Sequence, residues 1–110
     1  MANMEETIFQ IILHGGNGKS AAMEAITAAK SGEFGLAKDK IRESSEALQE
    51  AHHIQTSLIQ GEVRGEKAEL SLLMIHAQDH LMNAITTKDL AAEMVDLYEA
   101  IMGMGDGIKA

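Results

Sequence analysis

The sequence predicts an all-α protein, an antiparallel three-helix bundle forming one domain over residues 1–110. Three observations predict it. There is no Pro among the 110 residues; the ten glycines gather into four places; and the stretches between them place apolar residues at helical spacing.

The first segment runs from Met4 to Lys30. Ile8, Ile11, Ile12, Ala22, Ile26 and Ala29 keep one helical phase, with Gly15 and Lys19 on the same phase between them. Gly15-Gly16-Asn17-Gly18 interrupts it. Each glycine inside a helix costs about 1 kcal/mol relative to Ala, so a kink or short break is expected there, with the helix resuming near Ser20. Ser31-Gly32 is a stop, because Gly readily takes the left-handed conformation that closes a helix, and Glu33 then places an acid at the next N-terminus. So short a loop makes neighbouring helices antiparallel.

The second segment, from Glu33 to about Ile59, shows Phe34, Ala37, Ile41, Leu48, Ala51, Gln55 and Leu58 on one stripe. Gln60 to Glu66 has two glycines and no hydrophobic period, and reads as a loop. The third segment runs from Lys67 to about Met102 without Gly or Pro, and residues 103–110 read as a frayed, flexible tail. Helices of this length would span roughly 40 to 54 Å at 1.5 Å per residue. Such a bundle has much surface for its volume, so other copies of the chain are expected to cover part of its apolar face.

Composition bounds the function. Hydrophobic residues make up 45% but aromatics only 3%, so Ala, Ile, Leu and Met must build the core. There is no Cys, which excludes disulfides and thiolate metal sites. Nine Lys and Arg against seventeen Asp and Glu give a formal charge of −8, which argues against nucleic acid or an anionic membrane as partner. The longest apolar run, Leu72 to Ile75, is far short of the roughly 20 residues of a membrane span. MANMEET carries acids rather than the basic start of a signal peptide. A cytoplasmic protein is the expectation.

The third segment carries the chemistry. Leu90, Met94, Leu97 and Ile101 repeat at steps of four, three and four, the spacing of a coiled-coil seam. Continued toward the N-terminus, with Leu72 at its far end, the same stripe holds His76, Asp79, His80, Asn83, Thr86 and Thr87. Two explanations compete for these polar residues. They can specify register and oligomeric state at some cost in stability. Alternatively they place titratable groups in a semi-enclosed groove, where an imidazole held beside a carboxylate keeps one nitrogen free as a nucleophile. A non-catalytic helical adaptor and a metal-binding module built from His76, Asp79 and His80 belong to the same set of alternatives. The spacing of His76 and His80 suits a zinc helix, but Ala77 stands where the protease motif needs Glu. Asn17-Gly18-Lys19-Ser20 lacks the first Gly of a phosphate-binding loop, since position 13 is Leu13. His52 and His53 point about 100° apart on a helix, so at most one faces the core.

The stretch His76-Ala77-Gln78-Asp79-His80-Leu81-Met82, preceded by Ser71-Leu72-Leu73-Met74-Ile75, closely resembles the active-site helix of the lactose/cellobiose class of enzyme IIA in the bacterial phosphoenolpyruvate-dependent sugar phosphotransferase system. Ala51-His52-His53-Ile54-Gln55-Thr56 is similar to the second-helix motif of that family, and the resemblance covers residues 4 to 102. It implies a phosphoryl carrier, in which HPr phosphorylates His76 at Nε2 and His76 passes the group to a cysteine of the cognate IIB. It implies a homotrimer around the third helices, with Asp79 from each chain on one divalent metal, magnesium being the expected ion. Gln78 and His80 match the motif and take supporting roles. The sugar is a disaccharide of the cellobiose, chitobiose or lactose type, and the negative charge would complement a basic docking face on HPr or IIB.

Overall fold

Three α-helices, α1 (Met4–Lys30), α2 (Phe34–Val63) and α3 (Leu72–Lys109), make up nearly all of the chain. The structure is a computed structural model that describes the backbone of residues 4–109 and the side chains of residues 4–104. Among the described residues there is no strand, and no helix is long and apolar enough to cross a membrane.

The first turn forms where the sequence places it. Gly32 adopts φ +79°, its N–H reaches the Ala29 carbonyl at 3.0 Å, and the Glu33 N–H reaches the Ala28 carbonyl at 2.9 Å. This paired closure satisfies carbonyls that the end of α1 would otherwise leave open. Lys40 of α2 then bonds Glu24 of α1 at 2.8 Å, which holds its ammonium above the usual lysine range, with Glu43 adding to the effect.

The expected break in α1 does not occur, and the helix runs unbroken through Gly15 to Gly18. The reason lies in what faces these glycines. A Cβ at Gly18 would fall inside the Leu48 side chain, 2.5 Å from Cδ2, and the Gly18 carbonyl accepts a 2.6 Å hydrogen bond from the buried Ser44 hydroxyl. A Cβ at Gly15 would stand 3.3 Å from Cδ2 of His80 and 3.7 Å from the Cα of Leu81. Close approach of α2 and α3 offsets the low helix propensity of these residues.

The second loop also sits elsewhere than the pattern indicates. α2 continues through Gln60 and Gly61 and closes at Gly65, which takes φ +91°. The Gly65 and Glu66 N–H groups bond the Glu62 and Gly61 carbonyls at 3.0 and 2.8 Å, so the left-handed closing residue is the second glycine of the pair. α3 starts at Leu72 rather than Lys67, because Ser71 caps it by accepting the Met74 N–H on Oγ at 3.1 Å. Beyond Met102 the helix persists to Lys109, so the backbone of the expected tail is helical up to that residue. Ala110 lies outside the described residues.

Two core clusters follow one another along a rod with extents of 63 × 21 × 20 Å. One joins Ile8 and Ile11 of α1, Leu48 and Ala51 of α2, and Met74, Ala77, Leu81 and Ala84 of α3. The other joins Ala25, Ala28 and Ala29 of α1, Ala37 of α2 and Val95 of α3, flanked by Phe34, Ile41 and Tyr98. Ile11 and Leu81 are fully buried, each contributing about 1.5–3 kcal/mol by removal from water. The opposite face of α3 is apolar and open, with Leu90, Met94, Leu97 and Ile101 between 42% and 58% exposed.

Candidate functional site

The first core cluster fixes the part of α3 that carries the polar interruption. Met74, Ala77, Leu81 and Ala84 face α1 and α2, so His76, Asp79 and Asn83, on the far side of the same helix, face outward and are exposed. His80 and Gln78 lie at the flanks and are half-buried. All four residues singled out from the sequence therefore occupy little more than one helical turn.

The two imidazoles form the centre of this patch. The rings of His76 and His80 are nearly parallel, 15° from coplanar alignment, with centroids 6.0 Å apart. His80 leans on α1, where its Cδ2 and Nε2 edge meets Gly15 and Gly16. Asp79 accepts a hydrogen bond on Oδ2 from the Asn83 amide at 3.2 Å, and the Thr87 hydroxyl bonds the Asn83 carbonyl at 2.8 Å. On the other flank, the buried Gln55 of α2 donates from Nε2 to Oε1 of Gln78 at 2.6 Å. Nε2 of Gln78 in turn contacts the Met74 sulfur at 3.6 Å. Sequence reasoning gave Gln55 no role of its own. The signal was a polar residue on a core phase of α2, which a buried amide partner makes tenable.

No arginine serves this patch within the chain. Arg42 pairs with Asp39 at 2.7 Å and Arg64 with Glu66 at 3.2 Å, both away from α3. His52 and His53 are exposed on α2, in keeping with surface histidines. For the metal-binding alternative built from His76, Asp79 and His80, no group of three or more His, Asp or Glu side chains converges as metal ligands among the described residues of the single chain. Asp79 and His80 are neighbours on a helix and diverge by about 100°. In the patch of His76, Gln78, Asp79, His80 and Asn83, Asp79 is the single carboxylate, so a cation of the magnesium type is better held where several copies bring their carboxylates together.

Comparison with known proteins places the chain in a family. Residues 6–99 match the family described as "PTS system, Lactose/Cellobiose specific IIA subunit". The chain is 64% identical over 98 residues to the lichenan-specific phosphotransferase enzyme IIA component of Bacillus subtilis, covering 89% of each chain. Its fold is similar to the crystal structure of the cellobiose-specific enzyme IIA of Bacillus anthracis, with a TM-score of 0.89, 54% identity and 94% of each chain covered. It is also similar to the IIA chain in the solution structures of the chitobiose IIA–HPr complex of Escherichia coli, with a TM-score of 0.80 and 36% identity over 93% of this chain and 99% of that one. Three helices in this order and this degree of identity converge: the chain belongs to the lactose/cellobiose-specific IIA family of the phosphotransferase system.

Proposed function

We propose that the protein carries a phosphoryl group on His76, taking it from the phosphohistidine of HPr and passing it to a cysteine of the cognate IIB. The observation that supports this reading is an exposed imidazole beside a second, half-buried one, on a helix face that the bundle leaves open. Neutral His76 attacks the phosphorus through Nε2 as the phosphorus–nitrogen bond to the donor breaks. The thiolate of IIB later attacks the same phosphorus, and the imidazole of His76 leaves. Transfer of this kind asks the protein for alignment and charge management more than covalent work. The phosphohistidine carries nearly two negative charges near neutral pH, and with Arg42 paired to Asp39 on α2 and Arg64 to Glu66 just beyond it, donors from α3 or from the partner must offset them.

The same reading includes an antiparallel up-down-up bundle and a homotrimer built on the exposed stripe of α3. Three copies would bury Leu90, Met94, Leu97 and Ile101, and would bring their Asp79 carboxylates together. Such carboxylates repel one another, so Asp79 of each chain would hold a divalent cation, magnesium by the hard-oxygen donor set, which neutralises that charge. The cytoplasm is the place of action, and the sugar is a disaccharide of the cellobiose, chitobiose or lactose type. HPr bound to a relative 36% identical to this chain supports HPr as donor.

Incubation with phosphoenolpyruvate, enzyme I and HPr should add one phosphate per chain. His76→Ala should abolish the label and His52→Ala should keep it; a His76→Ala protein that still accepts phosphate would overturn the assignment.

A further inference from the structure

Two consecutive glycines in the middle of α1 are a local weakness in helix propensity, and beside the 3.7 Å approach of Gly15 to the Leu81 backbone they share one side-chain neighbour. Gly18 is explained by Leu48 and Ser44, but Gly15 and Gly16 face a different neighbour. A Cβ at Gly15 would sit 3.3 Å from Cδ2 and 3.7 Å from Nε2 of His80; a Cβ at Gly16 would sit 3.6 Å from Nε2 of His80 and meet nothing else within 4 Å. Both positions thus form a notch that receives one edge of a single imidazole. The opposite side of that relation is the His76 ring, which lies nearly parallel to His80 with centroids 6.0 Å apart. Because His80 is half-buried in the notch and His76 is exposed, the orienting influence runs from α1 through His80 to His76.

We infer that Gly15, Gly16 and His80 are positioning residues for phosphoryl transfer: the glycine notch of α1 seats the His80 ring, and the seated ring holds His76 in the orientation that meets the incoming phosphoryl group in line. This deepens the reading of His76 as phosphoacceptor and rests on it. Side chains at the notch would push His80 outward along α3, and a misplacement well under 1 Å at a reacting nitrogen lowers a transfer rate by about tenfold. A glycine-to-alanine change inside a helix otherwise raises helix stability, so stability and transfer move in opposite directions.

The test is a mutant cycle on the rate of His76 phosphorylation by HPr phosphohistidine, using the full chain. Gly16→Val, whose Cβ would meet His80 and nothing else within 4 Å, should slow transfer about tenfold with helicity and sedimentation unchanged. Gly15→Ala, a smaller side chain, should slow it less. His80→Ala should slow transfer, and Gly16→Val should add nothing in that background; His80→Gln should recover part of the loss. In NMR spectra of the unphosphorylated protein, the His76 ring signals should move in Gly16→Val. Additive losses in the double variant, or an unchanged rate in Gly16→Val with the label still on His76, would overturn the inference. Absence of label from the wild-type chain would instead refute the phosphoacceptor reading itself.

Discussion

Gly18→Ala should destabilise the protein, against the rule that alanine improves a helix. The added methyl would gain about 1 kcal/mol of intrinsic helix propensity. It would also fall inside the Leu48 side chain, 2.5 Å from Cδ2, at a residue only 3% exposed. Overpacking of a filled core costs about 1–3 kcal/mol. Relief requires α1 and α2 to separate, which stretches the 2.6 Å bond from the buried Ser44 hydroxyl to the Gly18 carbonyl and forfeits about 1 kcal/mol more. The net loss is about 2 kcal/mol, or roughly 8–16 °C in melting temperature for a domain of this size. Urea titrations at fixed protein concentration measure it, and the same substitution in a Leu48→Ala background should be neutral or stabilising, because the space is then vacant. A Gly18→Ala protein as stable as wild type would refute the view that α1 is glycine-rich in order to admit its neighbours.

Ser71→Ala removes the acceptor of the Met74 N–H and should cost about 1 kcal/mol in urea denaturation, as loss of an N-cap does. Leu97→Asp places a charge on the open stripe of α3, where Leu97 is 58% exposed; in equilibrium sedimentation the wild type should run near three times 11.8 kDa and the variant near one, and an unchanged mass would remove that stripe from the assembly. Asp79→Leu should assemble without added magnesium and at least as tightly as wild type, since an apolar residue removes the repulsion among clustered carboxylates. Magnesium-dependent assembly of this variant would exclude Asp79 as the ligand.

The helices were legible because their main signals are local. Ser31-Gly32 ends α1 through its own dihedrals and hydrogen bonds, and the apolar positions of the α1 and α2 stripes are buried or half-buried, although Lys19 on the α1 stripe is exposed and Gly18, Ala21, Ala25 and Ala28 are buried beside it. What was misread depends on neighbours distant in sequence. Gly15 to Gly18 looks like a breaker until Leu48, Ser44 and His80 are packed against it. Lys67 to Leu70 are sound helix formers, yet the chain there is still turning away from the Gly65 closure, and Ser71 caps the helix that follows. For the site, spacing brought His76, Asp79 and His80 onto adjoining faces of α3, and the resemblance of the motif added Gln78. The Gln55–Gln78 bond and the seat of His80 on α1 come from other helices, and helical period carries no information about them.

The division of the core into two clusters has a consequence for how the molecule breathes. The cluster under His76 is built from Ile, Leu and Met side chains with alanines between them, whereas the other consists almost wholly of alanines and one valine. Large aliphatic side chains are buried at the His76 end, whereas the large side chains at the other, Phe34, Ile41 and Tyr98, are only partly buried, so partial opening requires less work there. Amide protons in the turn around Gly32 and in the adjoining turns of all three helices should exchange in small local events, while those around Ile11, Leu48 and Leu81 await opening of the whole bundle. The rod thus works loose from its alanine end, and the histidine pair keeps its alignment through fluctuations that the rest of the chain undergoes.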